Sequence, residues 1–186
     1  MEKIRCSWCE KDDLYRAYHD NEWGKPVYND ETIFEFLVLE SFQAGLSWYT
    51  ILKKRENFKL AFDDFNYRKI AEYTDEKAEE LMQNQGIIRN RLKILATVNN
   101  AKRFLEVQKE FGTFSEYIWS FVGGKPIINH PKTLKDVPAT SEISDALAKD
   151  LKKRGFKFLG STVVYAHMQA TGMVNDHLAD CWVRNQ

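Results

Sequence analysis

The feature that most constrains the fold is an apolar segment between Asn29 and Ala44 with a carboxylate near its end. The spacing predicts a helix, capped by Asn29 or Asp30, that is apolar on most of its sides and therefore central and buried. Glu40 shares one face of this helix with apolar residues: Ile33, Phe36 and Leu37. A carboxylate on such a face is costly to bury without partners. Glu40 is therefore either a boundary residue that reaches solvent or a helix N-terminus, or an acid that faces a ligand.

A second helix follows the central one after a short break. Gly45 is expected to end the first helix, and Ser47 can cap the second. The run Lys53-Lys54-Arg55 provides cations suited to a helix C-terminus, so the second helix should finish there.

Cap and turn residues divide the rest of the chain into further helices, and no run of alternating strands is convincing. A long helix should bury a face that includes Leu92, Leu95, Val98, Ala101 and Leu105. The candidate N-terminal caps are Asn66, Thr74, Thr113 and Ser161, and the candidate closing glycines are Gly112, Gly123 and Gly172. The expected fold is all-α.

The organisation is that of one helical domain, residues 1–186, with two lobes as an alternative. Residues 123–140 contain three prolines and form the one long connection, which would lie between such lobes. Hydrophobic residues make up 44% and charged residues 29% of the 186 positions, as in globular proteins. The formal net charge is +0, so no global positive field points to nucleic acid.

Composition also sets expectations for the cellular compartment. The sequence shows no secretory signal after Met1 and no apolar run of membrane-spanning length. Three cysteines are too few for a disulfide framework. A reduced, cytoplasmic protein is therefore expected.

The two ends of the chain carry residues that could bind one zinc ion. His177 and Cys181 are four residues apart on a predicted last helix, so both side chains should leave one face. Zinc needs two more ligands, which Cys6, Cys9 or His19 could provide, and the CxxC spacing favours the two cysteines. The alternative is that the cysteines are small buried hydrophobic residues and His177 is an ordinary histidine. A site with four protein ligands would be structural and would join the termini.

A glycine turn precedes the long helix. Residues Gly86, Ile87, Ile88 and Arg89 would expose backbone N–H groups near a helix start, which suits a phosphate. The common hairpin pattern has a second glycine where Ile88 stands, so an ordinary helix–helix turn is the alternative. Three basic clusters are each typical of a solvated helix end: Lys53-Lys54-Arg55, Arg89-Asn90-Arg91 and Lys152-Lys153-Arg154. They would bind a DNA backbone only if the fold brings them to one side.

Aromatic residues are concentrated before and just after the central helix: Trp8, Tyr15, Tyr18, Trp23 and Trp48. Aromatic residues are most often core residues. Near a buried acid, they could instead enclose a planar base, and a cationic base would gain most.

Several blocks in one order resemble the DNA-3-methyladenine glycosylase I family of the helix-hairpin-helix superfamily, and the resemblance runs from Cys6 to Cys181. The blocks are Tyr18 to Gly24, Glu40 with Gln43 to Trp48, Lys53 to Asn57, Gly86 to Arg89, Lys152 to Phe158, and Asn175-Asp176-His177.

The resemblance implies a residue for each part of such a site. Cys6, His19, His177 and Cys181 would be structural zinc ligands, which replaces the preference for Cys9. Glu40 would hydrogen-bond the methylated base, and Tyr18, Trp48 and Trp8 would stack on it or line the pocket. Gly45 and Leu46 would probe the gap left by a flipped nucleotide, and Gly86 to Arg89 would grip phosphate.

The expected activity is that of a monofunctional enzyme. Residues 89–117 contain no aspartate that could act as the acid of many helix-hairpin-helix glycosylases, and no lysine for lyase chemistry stands at residues 89–91. The DNA-3-methyladenine glycosylase I family that the chain resembles also lacks this catalytic aspartate. The expected substrate is 3-methyladenine in double-stranded alkylated DNA, and the expected state is a monomer. The alternatives are a non-catalytic zinc-containing module that binds damaged DNA and a helical zinc protein without a nucleic-acid role.

Overall fold

A computed structural model describes residues 3–185, which are predominantly helical. Within this range, two strands of two residues each form a parallel pair, β1 (Ile127–Ile128) and β2 (Val174–Asn175). The helices are α1 (Asp13–Asn21), α2 (Asp30–Gln43), α3 (Trp48–Ala61), α4 (Tyr67–Ala71), α5 (Asp75–Gln83), α6 (Arg91–Phe111), α7 (Phe114–Ser120), α8 (Glu142–Lys153) and α9 (Ser161–Ala170).

Helix α2 is the central helix, as its sequence predicts. The Asn29 side chain caps it by accepting a hydrogen bond from the Thr32 N–H at 2.9 Å. Helices α3, α6, α7 and α9 pack around it, and nearly all residues from Ile33 to Phe42 are buried. Gly45 follows the helix end with a φ of +81°, a conformation that favours glycine, and Ser47 caps α3. The helix that carries Glu40 is thus held on several sides.

The long connection is attached to the helical core rather than separate from it. The Ile127 N–H donates to the Met173 carbonyl at 2.9 Å, and Ile127 pairs with Val174 across the two short strands. One continuous hydrophobic cluster includes residues from Ile33 to Val174. The connection therefore lies where it can contribute residues to a site beside α9.

The segment after α1 packs on the end of α9. The Gly24 N–H donates to the Gln169 carbonyl, and the Val27 N–H donates to the Thr171 carbonyl, each at 3.0 Å. Gly172 has a φ of +69°, and a Cβ there would lie 2.3 Å from the carbonyl carbon of Lys25. Only glycine allows this close approach, which brings the N-terminal region beside the C-terminal one.

Several predicted boundaries were wrong. Helix α3 continues past Lys53-Lys54-Arg55 to Ala61, because Phe58 is buried in the core and Arg55 forms ion pairs with Glu22 and Glu35, each at 2.7 Å. Helix α7 ends at Ser120, before Gly123. Ser161 is the first residue of α9, and its N-cap position is Gly160.

The buried face of α6 is also rotated from the predicted one. Val98 and Ala101 are buried as predicted, but Leu92 is 69% exposed. Ile94 and Phe104, which were not predicted, are buried in its place. The Phe104 ring packs against Phe34 with the centroids 5.1 Å apart, so a large aromatic contact sets the orientation of this helix.

His177 and Cys181 do not lie on a helix, contrary to the spacing argument. The His177 N–H donates to the Asn175 side-chain oxygen at 3.1 Å, and the Ala179 N–H donates to the Pro131 carbonyl at 2.8 Å. These bonds satisfy backbone groups that a helix would otherwise use. No helix within residues 3–185 is long and apolar enough to cross a membrane.

Candidate active site and metal cluster

A cavity of about 290 Å³ opens beside the C-terminal half of α2. Helices α1, α2, α3 and α9 line it, together with the long connection and the residue that follows β2. Its residues are Trp8, Tyr15, Tyr18, Trp23, Glu40, Gln43, Trp48, Leu134, Val137, Ala166, Gln169 and Asp176. The structure therefore brings Glu40 together with every aromatic residue that the sequence singled out.

Glu40 is buried in this cavity with no hydrogen-bond partner among the residues that the structure describes. Its exposed fraction is 3%, which does not fit a boundary residue that reaches solvent. Burial raises the pKa of this carboxyl to about 8, because the ionised form loses its hydration. The carboxyl is thus available to a ligand, and a cationic ligand would favour its ionised form.

The aromatic residues form a wall rather than a slot. The Tyr18 and Trp48 rings are in contact, with centroids 5.4 Å apart and planes at 44° to each other. Trp8 continues the wall through contacts with Tyr15 at 4.9 Å and Trp23 at 5.0 Å. A planar ligand can stack on the face of this wall, whereas a position between Tyr18 and Trp48 requires the rings to separate.

The loop after α2 borders a second, smaller cavity of about 180 Å³. Gly45 and Leu46 line it together with Thr162 and Val163 of α9. The two cavities share Glu40, Gln43 and Ala166. Leu46 is 40% exposed. An exposed apolar side chain therefore lines a cavity that adjoins the Glu40 cavity.

The turn between α5 and α6 has a defined geometry. The Gly86 N–H donates to the Asn84 side-chain oxygen at 2.8 Å, and a Cβ at Gly86 would lie 3.1 Å from Asn57. The side chain of Ile87 is buried and that of Arg89 is exposed. Within residues 3–185, the N–H groups of Ile88 and Arg89 have no hydrogen-bond acceptor. The backbone here remains free to bind an anion.

A second hairpin, which the sequence patterns did not predict, joins α8 to α9 through residues 154–160. Lys149, Lys152 and Lys157 surround a cavity of about 640 Å³ at this hairpin. Helix α9 starts there without a side-chain cap, so its first N–H groups are open. The sequence signal for this hairpin is the cluster Lys152-Lys153-Arg154, which is equally typical of a basic helix end. Arg154 is in fact paired with Glu110 and Asp150.

Two of the three basic clusters meet in space. Lys54 of α3 reaches the carbonyls of Gln85 and Gly86 in the α5–α6 turn, each at 3.4 Å. Arg55 and Arg91 are held by carboxylates instead. The positive charges near the turn that have no carboxylate partner among residues 3–185 therefore include those of Lys54 and Arg89.

Four buried side chains from the two ends of the chain form a cluster that could hold a metal ion: Cys6, His19, His177 and Cys181. Their ligand atoms lie within 4.8 Å of one another. The Cys181 sulfur is 3.5 Å from His19 Nε2 and from His177 Nδ1, and the Cys6 sulfur is 3.8 Å from His177 Nδ1. Sulfur and nitrogen ligands of a tetrahedral zinc ion lie about 3.6 Å apart. The donor set and its spacing thus fit a four-coordinate metal.

Cys9 is outside the cluster, so the preference for the CxxC pair was wrong. Its thiol donates to the Cys6 carbonyl at 3.1 Å, and burial raises its pKa to about 12. Cys6, the first residue of the CxxC pair, belongs to the cluster, whereas Cys9, the second, is a buried thiol outside it.

Hydrogen bonds to residues outside the cluster orient the imidazole rings of His19 and His177 toward the two sulfur atoms. His19 Nδ1 is 2.8 Å from the Asp20 carboxylate, which Arg5 also contacts at 2.9 Å. His177 Nε2 is 3.0 Å from the Trp23 carbonyl. Each ring thus directs its other nitrogen to the cluster, as metal-binding histidines do. Trp23 also lines the Glu40 cavity, so the two sites are adjacent.

Comparison with known proteins decides the family. The methyladenine glycosylase family model matches residues 8–185. The chain belongs to this family. It is 48% identical to DNA-3-methyladenine glycosylase 1 from Escherichia coli (strain K12) over 95% of each chain. It is 50% identical to DNA-3-methyladenine glycosylase from Haemophilus influenzae over 95% of this chain and 96% of that one.

A solved structure is similar throughout its length. The structure describing 3-methyladenine recognition by 3-methyladenine DNA glycosylase I from Staphylococcus aureus has a TM-score of 0.94 and 40% identity to this chain. The match covers 98% of this chain and 97% of the other.

We predict that Glu40→Gln stabilises the protein at neutral and alkaline pH. Glu40 has a raised pKa in the folded state, so its favourable contribution is complete below the unfolded value of 4.5 and is lost as the pH rises through about 8. The free energy of unfolding of the variant should exceed that of the wild type by on the order of 3 kcal/mol near pH 7. The two values should be about equal near pH 4. Equilibrium denaturation across this pH range measures the difference.

Glu56→Gln is the matched control, because Glu56 is exposed on α3. It should show no such pH-dependent gain. An equal effect of the two substitutions would contradict the desolvated state of Glu40.

Proposed function

We propose that this protein is a DNA-3-methyladenine glycosylase that hydrolyses the N-glycosidic bond of 3-methyladenine in alkylated double-stranded DNA. The observation that carries the proposal is the buried Glu40 carboxyl, which has no hydrogen-bond partner within the described residues and faces an aromatic cavity. Membership of the methyladenine glycosylase family and the named activities of the relatives support it.

Glu40 would distinguish the methylated base from adenine by charge. Methylation at N3 makes the base cationic in DNA, and a carboxylate attracts a cation strongly where water is excluded. Entry of the cation would lower the pKa of Glu40, so the carboxyl would release its proton and accept a hydrogen bond from the base. Neutral adenine offers no charge to offset the loss of hydration of the carboxylate.

The aromatic wall would hold the plane of the base. Tyr18, Trp48 and Trp8 present large ring surfaces beside Glu40. Stacking on aromatic side chains tolerates any planar base and adds attraction for a cationic one. The wall therefore supplies affinity and Glu40 supplies selectivity.

The base reaches this cavity only after the nucleotide leaves the duplex. The exposed Leu46, beside Gly45, is placed to fill the gap that remains. The turn at Gly86–Arg89 and the α8–α9 hairpin would bind the DNA backbone through N–H groups and lysines. All these parts come from one chain, so the protein would act as a monomer.

The reaction would need little acid or base assistance, because the departing base carries the positive charge of the methylated substrate and leaves as a neutral molecule. The protein would flip the nucleotide, bind the base and admit water to the sugar carbon. The lysine that lyase chemistry requires is missing from residues 89–91. A monofunctional hydrolase follows.

We assign the four-residue cluster to one structural zinc ion. Cys6, His19, His177 and Cys181 would hold it with four protein ligands, which leaves no coordination position for substrate. Zinc would supply a cross-link between the termini beneath Trp23 and Trp8. Thiolate ligands require reduced cysteines, in agreement with a cytoplasmic protein.

Release of free base from DNA treated with a methylating agent tests the activity. We expect 3-methyladenine to be released, with 7-methylguanine left in the DNA. Glu40→Gln should slow release by about 10- to 100-fold, the value of one hydrogen bond to a charged group. Folded wild-type protein that binds methylated DNA and releases no base would instead support the non-catalytic module.

Loss of one metal ligand should reduce stability without changing the chemistry at Glu40. We expect Cys181→Ser to lose the bound zinc measured by elemental analysis and to melt at a lower temperature. Cys9→Ser is the control, since Cys9 is buried nearby and outside the cluster. A Cys181→Ser protein with one zinc per chain and unchanged melting would remove Cys181 from the ligand set.

A further inference from the structure

A buried lysine fixes the loop that follows the central helix. Lys93, in the first turn of α6, is 6% exposed. Its ammonium group donates hydrogen bonds to the carbonyls of Phe42 at 3.0 Å and Ala44 at 3.1 Å. It forms no ion pair with any residue between positions 3 and 185. Burial lowers its pKa. A buried charge without a counterion is costly, so its retention calls for an explanation.

The two carbonyls belong to the C-terminal end of α2, just before Leu46. Helix C-termini leave carbonyls without partners and carry partial negative charge, and an ammonium group satisfies both. The carbonyl between them, that of Gln43, accepts from the Leu46 N–H at 2.7 Å. All three carbonyls from Phe42 to Ala44 are thereby occupied. Hydrogen bonds therefore hold the backbone immediately before the exposed residues Gly45 and Leu46.

Lys93 also belongs to the element that follows the phosphate-binding turn. Its backbone N–H donates to the side chain of Asn90, the N-cap of α6, at 3.1 Å. The turn at Gly86–Arg89 lies immediately before this cap. One residue therefore connects the segment proposed to grip the DNA backbone with the segment proposed to enter the DNA.

We propose that Lys93 is a positioning residue for nucleotide extrusion: it holds the Gly45-Leu46 loop at a fixed place relative to the α5–α6 turn. The proposal rests on the proposed function. Extrusion costs a few kcal/mol of lost pairing and stacking. A loop that is displaced when it meets the duplex cannot offset this cost. A loop held by two hydrogen bonds to a buried ammonium group keeps its position and can do so. The role concerns the flipping step and not the recognition of a base already in the cavity.

The substitution Lys93→Met tests this, because methionine retains most of the apolar stem and removes the donors. One methylated strand with a single adenine is annealed to two complements. The first places thymine opposite the adenine, and the second omits that thymine, so that the adenine is bulged and needs less work to extrude. Single-turnover release of 3-methyladenine is measured for both duplexes.

We expect Lys93→Met to slow release from the paired duplex on the order of 100-fold, as displacement of a positioned group by about 1 Å does. Release from the bulged duplex should change by less than about threefold. Lys102→Met, an exposed lysine of the same helix, should change neither. Lys93→Gln, which keeps an amide NH2 group as donor, serves if the methionine variant does not fold. It should also slow release more from the paired than from the bulged duplex, by a smaller factor.

Two results would overturn the proposal. Equal slowing on both duplexes would mean that Lys93 supports only the fold or the base cavity. Unchanged release from both would mean that the loop needs no such support. Failure of the proposed function is distinguishable, because wild-type protein would then release no base from either duplex.

Discussion

The proposed function depends on an acid, Glu40, that is buried without a hydrogen-bond partner among residues 3–185. The other buried charged side chains within residues 3–185 are matched by hydrogen bonds. Lys93 donates to two carbonyls, and Asp176 accepts from Asn129, Tyr165 and Gln169. Glu40 alone among them has none, although it lies on the most deeply buried helix. A desolvated carboxyl that the fold leaves open to a cavity is a site that a cation can complete.

The buried histidine His167 shows the contrast. Both of its ring nitrogens lack hydrogen-bond partners within residues 3–185, and burial lowers its pKa to about 3. It therefore remains neutral, and its unpaired nitrogens carry no net charge in the interior. Glu40 differs because burial raises its pKa to about 8, close to neutral pH, so that a ligand can decide its charge. Two sets of contacts border this site: His177 of the Cys/His cluster contacts the Trp23 carbonyl, and Lys93 donates to carbonyls at the end of α2.

The sequence was sufficient for the elements with strong local signals. The apolar pattern from Ile33 to Phe42 placed α2, and caps such as Asn29, Ser47 and Thr74 placed helix starts within a residue. The resemblance brought Cys6, His19, His177 and Cys181 together, whereas spacing alone chose Cys9. The helix predicted at His177 does not form, because the backbone N–H groups of His177 and Ala179 donate to a side chain and to a distant carbonyl instead.

Local sequence patterns could not predict which residues long-range packing brings to the cavity. Ala166 and Gln169 line the cavity only because α9 crosses α2, and Leu134 does so only because β1 pairs with β2. Nothing at these positions distinguishes them from ordinary helix or loop residues. The role of Lys93 depends on two carbonyls about fifty residues away, so no local signal could have shown it.

The most direct measurement is the titration of the Glu40 carboxyl by carbon-13 NMR in protein with labelled glutamate, assigned by comparison with Glu40→Gln. In the free protein the carboxyl should titrate near pH 8, and it should be ionised at pH 7 when DNA carrying 3-methyladenine is bound to protein under conditions that prevent turnover. Titration near pH 4.5 in the free protein, with no change on binding, would contradict the account, because Glu40 would then already be solvated or paired.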